Sequence, residues 1–215
     1  MPKPSNRELV APGHTAFLLQ EVQEGILGAN SALPELADAA AETDVVKHCA
    51  QLAARARSVG VPVVHLTAVN LPGGFGLNQN SRLFAGARKA GALLAPGSPE
   101  VAPMAELGVD AGDVILPRYH GLNPMTGSPL DSLLRNEGIT TVVVAGVSLN
   151  IAIPNMVFDA INRSYQVVVV EDAVAGTPVS YGRSVIEHTL RLVATIATTE
   201  QVLQWWASEE PEPGS

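Results

Sequence analysis

Cysteine is almost missing from this chain: its 215 residues contain one, Cys49. A single thiol forms no internal disulfide, so a reducing cytoplasm is the expected compartment. The opening MPKPSNRELVAPGH lacks the apolar stretch of a signal peptide. Long apolar runs are also missing. Segments such as 141–147 and 167–170 fall far short of the roughly 18 to 20 residues that cross a bilayer, and no membrane partner is expected. Charge is sparse and negative, with 13 Lys and Arg against 21 Asp and Glu for a formal net charge of −8. No cluster of five or more basic residues occurs, which excludes the electrostatic footprint of a nucleic-acid binder.

What is present is apolar material, 47% of the chain, enough for one compact domain. The domain is expected over residues 13–207, after an N-terminal extension of residues 1–12. Glu209, Glu210 and Glu212 fall in the terminal EEPEPGS, which reads as a disordered acidic tail over 208–215.

Strand-like and helix-like segments alternate. Runs rich in β-branched and apolar residues occur at 14–21, 60–68, 113–118, 141–147 and 165–171, and more weakly at 194–197. Several lack inside/outside alternation, as strands do when helices cover both faces of a parallel sheet. Between them, 44–59 places Val45, Cys49, Leu52, Ala53 and Ala56 on one helical stripe, which buries the only thiol. Segment 130–136 stops before Gly138, and 150–163 reads as a helix with Asn150 at its N-cap and Pro154 in its first turn. Helices over 179–192 and 200–206 complete the set. The order predicts a three-layer α/β/α domain with a mostly parallel, roughly six-stranded, Rossmann-like sheet.

In such sheets ligands bind beyond the carboxyl ends of the strands, where helix N-termini also point. That rule selects Glu21 at the end of the first strand, Arg118 at the end of the third, and Ser148, Asn150, Ile151 and Ala152 after the fourth. The irregular stretch 70–81, NLPGGFGLNQNS, lacks a phosphate-loop pattern and is expected to be a surface loop or lid, with Phe75 as a substrate contact.

The blocks around these residues resemble the isochorismatase-like hydrolase superfamily, which also contains nicotinamidases and other amidohydrolases. The resemblance covers about residues 13–205. HTAFLLQEVQ is similar to the family's first strand, GVPVVHL to its second, and APGSPEVAPMAELGVDAGDVILPRY to the run before its catalytic lysine. LDSLLRNEGITTVVVAGVSLNIAIPN is similar to its nucleophile loop, and FDAINRSYQVVVVEDA to the stretch after that loop. The family uses an Asp, a Lys and a Cys, with the Cys at a helix N-terminus where amide dipoles favour its thiolate. Carried over by resemblance, the acid is Glu21, the lysine position holds Leu116 and the cysteine position holds Ala152. Alanine has no nucleophile, so the covalent thioester route is closed, and Cys49 in mid-helix does not replace it. The branch resembling true isochorismatases has a small residue at that place and works through a carboxyl general acid. Ala152 fits that branch. Leu116 does not, although Arg118, two residues on, lies on the same strand face and supplies a positive charge. The resemblance further implies a cis Val147–Ser148 peptide and a homodimer or homotetramer.

His120 follows the third strand and is a candidate proton carrier, or else a residue that orders the loop. Amides near Ile151 and Ala152 are expected to form an oxyanion or carboxylate pocket, beside Ser148 and Asn150. His65 reads as a core residue, and His14, His48 and His188 have no metal-ligand spacing, so neither metal nor cofactor is expected. Trp205 and Trp206 read as packing or subunit contacts. Two functions remain. One is a hydrolase of a small anionic metabolite without a covalent intermediate, with Glu21, Arg118 and His120 as its catalytic groups; the other is a catalytically silent small-molecule-binding homologue.

Overall fold

A computed structural model describes residues 4–89 and 94–207. The expected tail at 208–215 lies outside the described residues. Six strands form one parallel sheet: β1 Thr15–Gln20, β2 Val63–Ala68, β3 Val114–Arg118, β4 Thr141–Val147, β5 Gln166–Ala175 and β6 Thr195–Ala197, ordered β3-β2-β1-β4-β5-β6. The strand order reverses between β1 and β4, which is where doubly wound sheets open a crevice. Helices α1 Asn6–Leu9, α2 Glu24–Leu27, α3 Pro34–Glu42, α4 Val45–Ser58 and α5 Arg82–Lys89 precede β3. Helices α6 Pro124–Gly127, α7 Leu130–Asn136, α8 Ala152–Asn162, α9 Val179–His188 and α10 Thr199–Trp205 follow it. None of the described helices is long and apolar enough to cross a membrane.

Alternate residues of the central strands feed two cores. Ala16, Leu18, Val142, Val144, Val167 and Val169 pack with α7, α8 and α9 on one face. Phe17, Leu19, Val143, Ala145, Val168 and Val170 pack with α3, α4 and α10 on the other. Burial on both faces explains why β4 is buried at every position and reads as an apolar run after Thr141. The α4 stripe comes out as its spacing demands, with Val45, Cys49, Leu52, Ala53 and Ala56 all buried.

Some boundaries differ from those expected. Strand β5 continues to Ala175, past the Glu171 at which its apolar run ends, and its register against β4 shifts between Val144 and Gly146. Helix α8 begins at Ala152, and Asn150 does not cap it: Asn150 Nδ2 donates to the Thr177 carbonyl at 2.6 Å and Oδ1 accepts from the Thr177 amide at 2.9 Å. Helix α9 ends at His188 and gives way to a short 3-10 turn, Leu190–Leu192. Near the N-terminus, Leu9 and Val10 are buried in the same core as α10, and the Trp206 indole donates to the Val10 carbonyl at 2.9 Å. The Trp206 ring also meets Phe17 edge-on at 6.2 Å, a packing role.

His65 is a core residue of β2, paired with Asp113 just before β3. Asp113 Oδ2 lies 2.9 Å from His65 Nε2 and 2.7 Å from Arg57 Nη2, so a charged helix residue clamps α4 to the β2–β3 edge. Burial pushes the Asp113 carboxyl up, but hydrogen bonds from Arg57, His65 and the Asp110 amide outweigh it and leave the group at about 2. Burial lowers His65 despite its bond to Asp113. Both shifts make the unfolded chain the better proton binder in acid. Stability should therefore decline as pH falls below about 6.5 through His65, and by a further 2 kcal/mol or so between about pH 4 and pH 2 through Asp113. Urea unfolding across pH measures this; the Asp113→Asn variant should lose the lower of the two declines.

Candidate active site

Glu21 and Arg118 meet at the carboxyl end of the sheet. The register pairs Gln20 of β1 with Leu66 of β2, and Ala68 of β2 with Arg118 of β3, so the two residues stand on either side of β2. Arg118 Nη2 donates to Glu21 Oε1 at 2.5 Å, with the side chains only 10% and 15% exposed. The backbone of Glu21 is left-handed, φ +53°, a conformation costing an L-residue roughly 1–2 kcal/mol. Such strain concentrates at functional positions.

The local sequence RYHGLNPMTG wraps Arg118. Its Nη1 donates to the carbonyls of His120 and Gly121. Gly121 takes φ +70°, Asn123 accepts from the Met125 amide at 2.9 Å to cap α6, and Gly127 of α6 lies against the Arg118 stem, where a Cβ would come within 3.0 Å of Cγ. His120 thus meets the site through its carbonyl, while the residue is exposed. Leu116, which resemblance set at the lysine position, faces the core instead. The cation paired with Glu21 is Arg118.

On the other side of β1, Gln20 pairs with Gly146 of β4, which sets Glu21 beside Val147 and the loop that follows. The Val147–Ser148 peptide is cis, as the resemblance implies. In that loop the amides of Ile151 and Ile153 donate to the Ser148 carbonyl, and that of Leu149 to Ala175. Among the described residues the Ala152 amide has no backbone acceptor. It stands at the start of the eleven-residue helix α8, where anions are favoured. Ser148 is half-buried and Ile151 38% exposed, whereas Asn150 has both amide groups committed to Thr177. Phe75 is 78% exposed on a loop whose glycines 73, 74 and 76 all have positive φ. That loop is tied to the site by Asn78, whose Oδ1 accepts from the Gly121 amide at 2.7 Å.

Two glutamines escaped the sequence reading. Gln20 Nε2 donates to Glu21 Oε1 at 2.8 Å, and Gln23, fully buried, spans the Ala68 amide and carbonyl and the Glu100 carbonyl. Their signal was present: polar side chains bracketing the acid in an otherwise apolar strand. A separate cavity of about 720 Å³, walled by Leu149, Glu171, Asp172, Gly176, Arg183 and Arg191 among others, lies at the ends of β5 and β6; Glu21 and Arg118 do not line it. No group of three or more metal-ligating side chains occurs among the described residues.

A model of the isochorismatase domain matches residues 15–201. The chain belongs to the isochorismatase family. Ureidoacrylate amidohydrolase RutB of Methylobacterium radiotolerans is 29% identical over 186 residues, covering 79% of this chain and 71% of that protein. The isochorismatase family protein YecD of Escherichia coli O157:H7 is 30% identical over 196 residues, 88% and 94% of the two chains. The fold of a cysteine hydrolase from Pseudomonas syringae pv. phaseolicola superposes with a TM-score of 0.81 over 96% of this chain and 98% of that one, at 22% identity. This isochorismatase-family hydrolase thus carries Glu21, Arg118 and Ala152 at the strand ends, and its one thiol elsewhere. Cys49 is fully buried on α4, its Sγ 3.6 Å from the Ala173 carbonyl, and burial pushes the thiol well above its usual range.

The site rests on the β1–β4 contact. Gly146 has φ +106°, and a Cβ there would collide with the Gln20 carbonyl oxygen. Gly146→Ala is expected to cost about 2–4 kcal/mol, because neither the backbone angle nor the contact tolerates a methyl group. Thermal and urea unfolding of the purified variant measure the loss.

Proposed function

We propose that the protein hydrolyses a small anionic metabolite without a covalent enzyme intermediate. The observation that carries this reading is the Glu21–Arg118 pair beside an uncommitted helix N-terminal amide at Ala152, a residue with no nucleophile. In this reading Arg118 takes the place that resemblance gave to a lysine. Two donors fall on Glu21 Oε1, while Oε2 makes no hydrogen bond among the described residues. Oε2 accepts a proton from water as the water oxygen adds to the electrophilic carbon of the substrate. The α8 amides stabilise the negative charge that develops, and the same proton then passes to the leaving group as its bond to that carbon breaks. The carboxylate is thereby restored. A guanidinium holds charge but does not lend a proton readily, so Arg118 orients Glu21 and attracts the anion.

Because one curated relative is named for ureidoacrylate, the first substrates to assay are small carboxylic acids bearing amide or ureido groups. On whichever is turned over, Glu21→Gln should reduce kcat by at least about 100-fold. Cys49→Ala should leave kcat within about twofold, since a sealed thiol takes no part. Full activity in Glu21→Gln would end this assignment.

A second reading is favoured by one observation: Arg118 already serves Glu21 and two backbone carbonyls. A site so satisfied suits a silent binding protein. Recovery of a bound metabolite chemically unchanged, with none of the panel hydrolysed, would support that reading.

A further inference from the structure

Gln20 is 1% exposed at the last position of β1, and its two amide atoms are treated very differently. Nε2 donates to Glu21 Oε1 at 2.8 Å, the same oxygen that receives Arg118 Nη2 at 2.5 Å. Its own Oε1 is buried without a hydrogen-bond partner among the described residues. Turning the amide over would not relieve this, because the amide oxygen would then face a carboxylate oxygen. Nor does the backbone have room to shift: the Cα of Gly146 on β4 presses against the Gln20 carbonyl so closely that no side chain fits there.

A buried acceptor left unpaired is a cost to the fold, and an apolar residue of similar size would avoid it. Every other residue of β1 except Thr15 is apolar. The donor is what an apolar residue could not supply, and its one acceptor is Glu21. We infer that Gln20 is a positioning residue for Glu21: together with Arg118 it fixes Oε1, so that Oε2 is the oxygen turned to the substrate. The inference rests on the proposed role of Glu21. It assigns to Gln20 no contact with the substrate, since its side chain is sealed beneath the acid.

Stability and activity should therefore part company at this residue. Gln20→Met keeps the side-chain length, removes the orphaned acceptor and deletes the donor; Gln20→Leu is a second variant should Met pack poorly. The melting temperature of at least one is expected to equal or exceed that of the parent. On a substrate found as above, kcat should fall at least about tenfold with KM changed by less than about threefold. A structural role predicts the reverse, with both variants less stable and kcat retained, and that outcome would overturn the inference.

A spectroscopic arm decides the matter even if no substrate is found. The side-chain amide of Gln20, assigned by its disappearance in Gln20→Met, should show one proton shifted downfield and protected from solvent exchange. In Glu21→Gln the shift should shrink as a neutral acceptor replaces the carboxylate. An amide that does not respond to Glu21→Gln refutes the positioning role, whereas full activity in Glu21→Gln with a responsive amide refutes only the proposed function.

Discussion

A carboxylate and a guanidinium meet at the carboxyl end of the sheet with a whole strand between the residues that carry them. Glu21 directly follows β1, Arg118 ends β3, and β2 lies in the middle. The pair closes only if two parallel registers, β1 on β2 and β2 on β3, hold together, because a slip of one residue along β3 would send Arg118 to the opposite face of the sheet. Other parts of the molecule answer to that requirement. Arg57 and His65 converge on Asp113 and pin the start of β3, the edge strand, to the helix and strand behind it. The loop after β3 then gives two carbonyls to the same guanidinium, so ordering this loop and orienting the cation are one event.

Removing such a partly buried charge from water is costly, and ion pairs of this kind add little net stability. Their value is geometric. A guanidinium with several fixed acceptors holds one direction in space, and Glu21, in a left-handed backbone conformation, is held against it. Local preference and tertiary demand conflict at Glu21, as they do at Gln20 with its unpaired oxygen, and the two residues are adjacent. In the large elements local preference and fold agree: β4 is apolar after Thr141, and the buried stripe of α4 recurs with helical spacing.

This contrast also explains what the sequence made legible. Periodicity located the six strands and the larger helices because burial on both sheet faces leaves a strong apolar signature. Glu21, Arg118 and Ala152 were readable too, since a residue's place at a strand end or helix start follows from chain order alone. The pairing of side chains was not. Chain order put Arg118 at the end of β3 but not its partners, Glu21 across β2 and the carbonyls of His120 and Gly121. Asn150 looked like a cap because its residue type suits one, yet its amide was taken by Thr177 from a loop 27 residues away. Long-range hydrogen bonds of this sort carry no periodic signal.

The position of the single thiol has chemical consequences. On α4, Cys49 is buried among apolar residues, the opposite of the electropositive helix terminus that turns a thiol into a nucleophile. At the start of α8 the electrostatic setting is present, with an uncommitted amide and a helix of eleven residues behind it, but the side chain is a methyl group. A helix terminus without a nucleophile can still stabilise negative charge, because its effect comes from the backbone and survives any side-chain replacement. Charge stabilisation and nucleophilicity are therefore separable in this fold. In the proposed reaction the attacking atom therefore comes from water, and among the described residues Glu21 is the carboxylate that pairs with Arg118 at the site and leaves one oxygen uncommitted.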